Sequence, residues 1–538
     1  MRYHTVLLSL FMSSIVLQCQ ADAESGPTQI ELSAASDSVE WLLPNHDYAG
    51  QRFVDLKQIN RDNAAQLRPV CIYQAGDVRP FPTNPLVYKG SMYLTTITST
   101  IAVDAATCAV RWRYDWQPKA KEAELKIGNV VRNPYRARGV ALKDGMLVRS
   151  TSDGYLIALD AETGKVVWER AVTNAEKYEL MIMAPLVYDD LVITGIGISE
   201  FGVKGWIGGF RLANGEPVWR FNTVPDEAEH AAETWNPTEG RTRGGGGVWV
   251  TPSLDTAEGL LYVAVGNPVP DFFGGARMGK NLYTAAMVVL DVKTGSLRWF
   301  RQFVAHDLHD WDLTVTNPLY SAVIDGTRRS LVSVAGKDGL LRAVDRGSQK
   351  QIYEMPLTTV SNAAIDPTIE GIHTCPGALG GFEWSSPSYN PTTNVLVAPT
   401  VDWCGVFKKA DELRYIPGQM YMGGSFTYDP VDRGWLTAVN ASTGAILWKY
   451  ESKRPMVASV TATSADLVFT GELTGDFVVL DGGRGDVLYR FNTGGPVAAG
   501  VITYAVNGKQ YVAVTSGATA GFWRTPPASS TLVIFALP

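Results

Sequence analysis

The densest group of reactive side chains lies at residues 305–312, Ala-His-Asp-Leu-His-Asp-Trp-Asp. Two His and three Asp in such a short stretch indicate a cation site, because buried carboxylates need partners and one ion satisfies several of them at once. The alternative is a turn in which each Asp bonds its own backbone. The stretch alone does not distinguish a cation site from a turn. The secondary structure predicted around it provides further evidence.

An eleven-residue motif recurs along the chain and predicts its architecture. In clear copies, such as residues 158–168, an Asp or Asn is followed three residues later by Thr-Gly, and the copy ends in Trp. Each copy predicts two β-strands joined by a tight turn, in which the Asp bonds backbone and the Gly takes a positive φ. Seven copies lie at residues 102–112, 158–168, 209–219, 289–299, 343–353, 438–448 and 479–489.

Another predicted hairpin precedes most copies, as at residues 185–193. Four strands per repeat are typical of a β-propeller, and helical periodicity is nearly absent. Because a small sheet cannot bury both faces alone, the aromatic residue that ends each copy is expected to pack on the next sheet. Residues 530–537 form a further strand that we expect to pair with residues 68–73 and close an eighth blade. The predicted fold class is therefore all-β, an eight-bladed propeller with tryptophan-docking repeats.

The ends and the charge of the chain indicate an exported protein without a polyanionic partner. A cationic start, an apolar run at residues 6–17 and an Ala-x-Ala end predict a secretory signal at residues 1–23, which leaves residues 24–538 as the propeller domain. No later segment has the roughly 18 apolar residues of a membrane helix. The formal net charge is −7, which argues against nucleic acid.

Four cysteines remain after Cys19 leaves with the signal. Export favours disulfides, and four cysteines allow three pairings. We favour Cys71–Cys108 with Cys375–Cys404, because each pair would join neighbouring strand segments. No Cys-x-x-Cys-His motif occurs, so the chain encodes no covalently attached haem.

The Trp-ending repeat, the long insertions at residues 224–247 and 356–376 and the acidic stretch together resemble the pyrroloquinoline quinone (PQQ) dependent alcohol dehydrogenases. The resemblance runs from about residue 41 to residue 537. It implies a periplasmic enzyme that oxidises a primary or secondary alcohol by metal-assisted hydride transfer to PQQ. Because no haem motif is present, electrons would pass to a separate periplasmic cytochrome c.

The resemblance also implies a metal beside the quinone. In the family a Glu on a Gly-rich turn, an Asn in Gly-Asn-Pro and an Asp after an aromatic-rich strand hold this metal, which corresponds to Glu200, Asn267 and Asp310. Asp310 is also the implied general base for the alcohol. Asp312 stands where lanthanide-using members carry an additional Asp, so Ca²⁺ and a lanthanide both stay open, with the lanthanide slightly favoured.

Four further residues take roles toward the cofactor by resemblance. Arg138 would pair with a PQQ carboxylate, Trp249 would form the plane on which PQQ stacks, and Lys337 would bond the quinone oxygens. Glu383 stands where the family has an Asn near the quinone.

The chain also departs from the family pattern. Arg132 and Asn133 replace a vicinal disulfide, and Ile182 falls near a PQQ-binding Thr. Val457 falls near a Trp on the substrate side, which predicts room for an alcohol larger than methanol. Two other interpretations stay open: a non-catalytic propeller scaffold of the outer-membrane assembly type, and a degenerate enzyme that binds PQQ weakly. Monomer and homodimer are both compatible with the sequence.

Overall fold

A computed structural model of the chain describes residues 26–119, 125–127, 130–132, 136–198, 200–237, 243–315 and 318–538. The predicted signal and Asn133 lie outside the described residues. Within them, one α-helix, Gln29–Ser33, and six short 3-10 turns accompany forty-two β-strands. No helix in this part of the chain is long and apolar enough to cross a membrane.

Eight sheets of four main strands, numbered blades 1 to 8 in chain order, confirm the predicted propeller. Blade 1 consists of Leu86–Tyr88, Ser91–Thr95, Ser99–Asp104 and Val110–Asp115; blade 2 of Ala141–Lys143, Met146–Ser150, Tyr155–Asp160 and Val166–Ala171; blade 3 of Leu186–Tyr188, Leu191–Gly195, Trp206–Arg211 and Pro217–Asn222; blade 4 of Ser253–Asp255, Leu260–Ala264, Ala286–Asp291 and Leu297–Gln302.

The second half of the ring repeats this arrangement. Blade 5 consists of Leu319–Ile324, Thr327–Ala335, Leu340–Asp345 and Gln351–Pro356; blade 6 of Ser388–Asn390, Val395–Asp402, Arg433–Asn440 and Ile446–Ser452; blade 7 of Thr461–Thr463, Leu467–Gly471, Asp476–Asp481 and Val487–Asn492, with Phe53–Val54 added in parallel; blade 8 of Val501–Val506, Lys509–Ser516, Thr531–Ala536 and the N-terminal strand Arg68–Gln74.

The ring closes as the sequence predicts, because Arg68–Gln74 pairs with Thr531–Ala536 in blade 8. The disulfide Cys71–Cys108 then ties this N-terminal strand to the last turn of blade 1. The second disulfide is Cys375–Cys404, so both predicted pairings are confirmed.

Tryptophan docking joins neighbouring blades. Trp112 of blade 1 donates its indole N–H to Ala161 O of blade 2 at 2.9 Å and packs on Gly164, where an added Cβ would lie 2.5 Å from the ring. Gly164 has φ +69°, so the same residue is needed for the turn and for the contact. The contact recurs for Trp168 on Gly215, Trp219 on Gly295 and Trp448 on Gly485.

Antiparallel pairing gives every blade two different ends. The loops before the first strand, between the second and third strands and after the fourth strand lie at one end, called here the site end. The turns of the repeated motif, between the third and fourth strands, lie at the opposite turn end. Small sheets decorate the insertions: Asn236–Pro237 with Arg277–Met278, Gly244–Gly245 with Pro268–Val269, Leu125–Ile127 with Val130–Arg132, and Ile372–Thr374 with Gly405–Lys409 and Gly424–Tyr428.

Candidate active site

All the residues that were predicted to bind metal or cofactor lie in loops at the site end. Because these loops leave the same end of successive blades, residues distant in sequence come together there. They are Arg138 before blade 2, Glu200 within blade 3, Trp249 before and Asn267 within blade 4, Asp310 and Asp312 between blades 4 and 5, Lys337 within blade 5, and Glu383 before blade 6.

Two adjoining cavities collect these side chains. The first has a volume of about 230 Å³ and is lined by Arg138, Glu200, Trp249, Asp312, Lys337 and Glu383. The second has a volume of about 730 Å³ and is lined by Asp310 and again by Glu200 and Lys337. Leu379, Met420 and Phe522 also line both cavities, so the shared lining combines apolar side chains with Glu200 and Lys337.

Lys337 links the two predicted aspartates. Its Nζ lies 2.7 Å from Asp312 Oδ2 and 3.3 Å from Asp310 Oδ2, and all three side chains are nearly buried. Burial alone would lower the pKa of Lys337, but attraction to Asp310 and then to Asp312 outweighs it and raises that pKa well above its ordinary value. Lys337 is therefore a fixed positive charge within the acidic group.

Asn267 is joined to this group through its backbone and its side chain. Its N–H donates to Asp312 Oδ1 at 2.9 Å, and its Nδ2 donates to Asp271 Oδ1 at 3.0 Å. Both Asn267 and Asp271 are fully buried. Among the described residues, Asn267 Oδ1 and Asp271 Oδ2 have no hydrogen-bond partner. Asp271 was missed from the sequence, although a carboxylate one residue after Gly-Asn-Pro-Val-Pro was a readable signal.

The buried carboxylates repel one another. Desolvation raises the pKa of Asp310 well above its ordinary value; Lys337 opposes this, while Asp312, Asp271 and Glu200 add to it. Asp310 also has φ +59°, a conformation that Asp tolerates better than most residues and that is frequent at functional sites. A general base has to be ionised, so Asp310 in that role would need a cation nearby to lower its pKa.

The remaining polar residues of the stretch 305–312 have structural roles. Asp307 accepts the backbone N–H groups of His309 and Trp311 at 3.0 and 2.9 Å. His309 stacks on Trp311 with ring centroids 4.4 Å apart, and His306 Nδ1 contacts Gly279 O at 2.8 Å. The turn interpretation thus applies to Asp307, which builds the turn that presents Asp310 and Asp312.

Arg138 lies between two indole rings. Its Cζ is 5.0 Å from the ring centroid of Trp249 and 5.0 Å from that of Trp384. Burial lowers the pKa of Arg138 to about 9, with Arg136 adding to the effect and Glu383 opposing it. Trp384, which was not predicted to have a role, is anchored by its N–H to Ala498 O at 2.8 Å.

Comparisons with known proteins bear on this arrangement. Residues 41–368, more than half of the chain, match the PQQ family described as the β-propeller domain of glucose/ethanol/alcohol dehydrogenases. The chain belongs to this family of quinoprotein alcohol dehydrogenases. A shorter match, over residues 432–525, is to the family of the outer membrane protein assembly factor BamB and reflects the shared propeller repeat.

Individual quinoprotein dehydrogenases are similar over almost the whole chain. Quinoprotein alcohol dehydrogenase PedH of Pseudomonas putida is 28% identical, over 95% of this chain and 91% of that protein. The structure of quinohemoprotein alcohol dehydrogenase ADHIIG of Pseudomonas putida HK5 has a TM-score of 0.89 and 25% identity, over 96% of this chain and 83% of that one. A europium-containing methanol dehydrogenase has a TM-score of 0.85 and 25% identity, over 94% and 100%.

The residues of this quinoprotein site fit a planar, polyanionic cofactor. Trp249 and Trp384 offer flat apolar faces, while Arg136 and Arg138 line the same cavity and supply positive charge. Ile182, near the position of a family Thr, also lines it. Val457 does not line either cavity but packs one layer behind, in a cluster with Trp403 and Trp523.

The donor set also fits a hard cation. Within the described ranges, no three His, Cys, Asp or Glu side chains are placed to hold a metal by themselves. Among the described residues, the amide oxygen of Asn267 and the second oxygen of Asp271 nevertheless have no hydrogen-bond partner, and burial together with repulsion between carboxylates raises the pKa values of Asp310 and Asp271. A bound cation would relieve that repulsion, and oxygen donors of this kind suit Ca²⁺ or a lanthanide.

Proposed function

We propose that this quinoprotein is a periplasmic, metal-dependent alcohol dehydrogenase that oxidises primary or secondary alcohols to aldehydes or ketones. The observation that carries the proposal is the convergence of Glu200, Asn267, Asp310 and Asp312 beside the cavity that contains Arg138 and Trp249. When bound, PQQ with its metal supplies a polarised carbonyl that accepts the hydride of the alcohol.

The other roles, proton transfer and cofactor binding, are assigned to side chains of the protein. Asp310 takes the proton of the alcohol hydroxyl, and Lys337 holds the carboxylates of Asp310 and Asp312 in place. Arg138 pairs with a carboxylate of the cofactor, and Trp249 stacks on its plane. The Arg138 guanidinium lies over the Trp249 ring, so a cofactor that stacked on this face would displace it.

We assign the alcohol to the second cavity. Its volume of about 730 Å³ exceeds the needs of methanol, and Leu379, Met420 and Phe522 give it an apolar wall. This supports an alcohol larger than methanol. Electrons would leave to a separate periplasmic cytochrome c, because the sequence has no haem-attachment motif.

Reconstitution tests the proposal. Purified protein freed of metal is mixed with PQQ plus Ca²⁺ or La³⁺, and dye reduction is followed with methanol, ethanol and bulky secondary alcohols. We expect activity with at least one metal, higher kcat/KM for the larger alcohols, and reduction of an added cytochrome c in place of the dye.

The alternative, a propeller scaffold without catalysis, predicts a different result. In that case no metal supports dye reduction, and the purified protein retains no quinone absorbance after gel filtration. Equal kcat/KM for methanol and bulky alcohols would contradict the expected substrate class while leaving the dehydrogenase activity intact.

A further inference from the structure

Asp271 is a buried carboxylate in the acidic group for which neither the repeat nor the family resemblance provides a role. It is fully buried, and its Oδ1 accepts a hydrogen bond from Asn267 Nδ2 at 3.0 Å. Its Oδ2 has no hydrogen-bond partner among the described residues. Burying a carboxylate oxygen without a hydrogen-bond partner costs free energy.

The contacts of Arg277 do not support a purely structural role for Asp271 as an ion-pair partner. Arg277 lies in the same loop, but its guanidinium binds backbone oxygens: Nε donates to Pro270 O at 3.0 Å, and Nη2 donates to Asp271 O at 3.1 Å and to Asp307 O at 2.5 Å. Its Nη1 donates to Asn281 Oδ1 at 2.8 Å. Arg277 therefore organises the loop backbone; it attracts the Asp271 carboxylate, but none of these hydrogen bonds reaches it.

We propose that Asp271 is a positioning residue of the metal site, which acts through Asn267. Asp271 Oδ1 accepts a hydrogen bond from Asn267 Nδ2 at 3.0 Å, and Pro268 O accepts a second one at 3.3 Å, so the amide is held with its NH₂ group facing Asp271. The amide oxygen Oδ1, which is buried and has no hydrogen-bond partner among the described residues, is thereby kept available to an ion. The inference rests on the proposed function, because it assigns Asn267 as a metal ligand.

A cation bound among these residues would favour the ionised form of Asp271, and the negative charge would then have a second consequence. A carboxylate bonded to the NH₂ group of a ligating amide polarises the amide and strengthens its oxygen as a donor. It also adds one charge to a group that already contains Glu200, Asp310 and Asp312, and additional negative charge favours a trivalent over a divalent ion. The loss of Asp271 should therefore weaken lanthanide binding more than Ca²⁺ binding.

Terbium luminescence tests this without any turnover. Full-length protein is freed of metal, loaded with PQQ and titrated with Tb³⁺, with emission excited through tryptophan. We expect Asp271→Ala to weaken Tb³⁺ affinity by about 10- to 100-fold, the usual range for residues that orient a metal ligand. Emission decay in H₂O and D₂O should show an additional bound water, because the Asn267 oxygen no longer holds its place.

Two further variants separate positioning from other roles. In an Asn267→Ala background, Asp271→Ala should add little further loss, because both changes act through one interaction. Asp271→Asn keeps the shape and one acceptor oxygen, so a smaller loss of about 10-fold is expected; this variant carries the test if Asp271→Ala does not fold. Asp345→Ala, which removes a buried carboxylate at the turn end, should leave Tb³⁺ affinity unchanged.

The failures are distinguishable. If wild-type protein binds no Tb³⁺, the proposed metal site is wrong and the inference falls with it. If wild-type protein binds Tb³⁺ and Asp271→Ala or Asp271→Asn binds it equally well, only the positioning role is overturned. A full additional loss in the Asn267→Ala background would also overturn it, since Asp271 would then act on the ion independently of Asn267.

Discussion

The two ends of the propeller both carry many aspartates, but they use them in opposite ways. At the turn end, Asp291 Oδ1 accepts the backbone N–H groups of Lys293 and Thr294 at 3.1 and 3.0 Å. Burial acts against the charge, but these hydrogen bonds, led by those from Thr294, outweigh it and lower the pKa of Asp291. The same pattern recurs at Asp104 and Asp345, whose pKa values are also lowered.

At the site end, aspartates face other carboxylates. Burial, and then repulsion from Glu200, raises the pKa of Asp271 well above its ordinary value, although Arg277 opposes the shift. Asp310 behaves in the same way despite Lys337. An aspartate that bonds the backbone of its own turn stabilises the fold, whereas aspartates collected from several blades repel one another, and a bound cation would relieve this repulsion.

The largest expected effect is a loss of kcat, which we expect for an aspartate at the site end and not for one at the turn end. Asp310→Asn should lower kcat of the reconstituted enzyme by at least about 100-fold, because general bases contribute roughly 10²–10⁴-fold and this residue is also a proposed metal ligand. Circular dichroism and Tm should show that the fold survives. The matched change at the turn end, Asp291→Asn, should leave kcat unchanged, and wild-type activity in Asp310→Asn would refute the assigned base.

Glu383, at the site end, should make the stability of the protein depend on pH. Burial raises its pKa from 4.5 to about 7, with Lys337 opposing and Asp312 adding to the shift. The folded state holds this proton more tightly than the unfolded state, so its contribution to stability is complete below about pH 4.5 and is lost as pH rises through about 7. The shift corresponds to at most about 3 kcal/mol.

The free energy of unfolding of metal-free and quinone-free protein, measured with urea at pH 5 and pH 8, tests this. Wild-type stability should fall between these pH values by more than that of Glu383→Gln, because Gln has no proton to lose. Equal pH dependence of the two proteins would show that Glu383 is ionised throughout, as the turn-end carboxylates are.

Asp312 should contribute more to La³⁺-supported activity than to Ca²⁺-supported activity. Its Oδ2 lies 2.7 Å from Lys337 Nζ and its Oδ1 accepts the N–H of Asn267, so it is held firmly beside the other donors. Asp312→Ala should lower La³⁺-supported kcat/KM about tenfold more than Ca²⁺-supported kcat/KM, because the lost charge matters more to the trivalent ion. An equal loss with both metals would remove the reason to favour a lanthanide.

The fold was predictable because short sequence motifs specify its turns and the contacts between neighbouring blades. A turn such as that at Gly164 needs a positive φ wherever it occurs, and the docked Trp112 needs the same glycine, so the repeat reports both the hairpin and its neighbour. The closing strand and both disulfides followed from the same order of strands. These features require no knowledge of how distant loops meet.

The site was predictable only where family resemblance supplied the three-dimensional information. Within the stretch 305–312, nothing local distinguishes Asp307, which bonds the backbone of its own turn, from Asp310, which meets Lys337. Asp271 was missed for the same reason, because its significance comes from its contact with Asn267 and its proximity to Glu200 on another blade. Arg138 between two indoles likewise requires the assembled ring.

The smallest expected effect lies at the turn end. Asp291→Ala removes the acceptor of two backbone N–H groups, but the turn is largely exposed, so water replaces the lost partner. The free energy of unfolding should fall by only about 1 kcal/mol, the usual net value of such hydrogen bonds. Tb³⁺ affinity and kcat should stay at wild-type values, because no blade transmits the change to the loops of the site end. A loss of metal affinity in this variant would mean that the two ends are coupled, and the separation between structural and cation-binding aspartates would then fail.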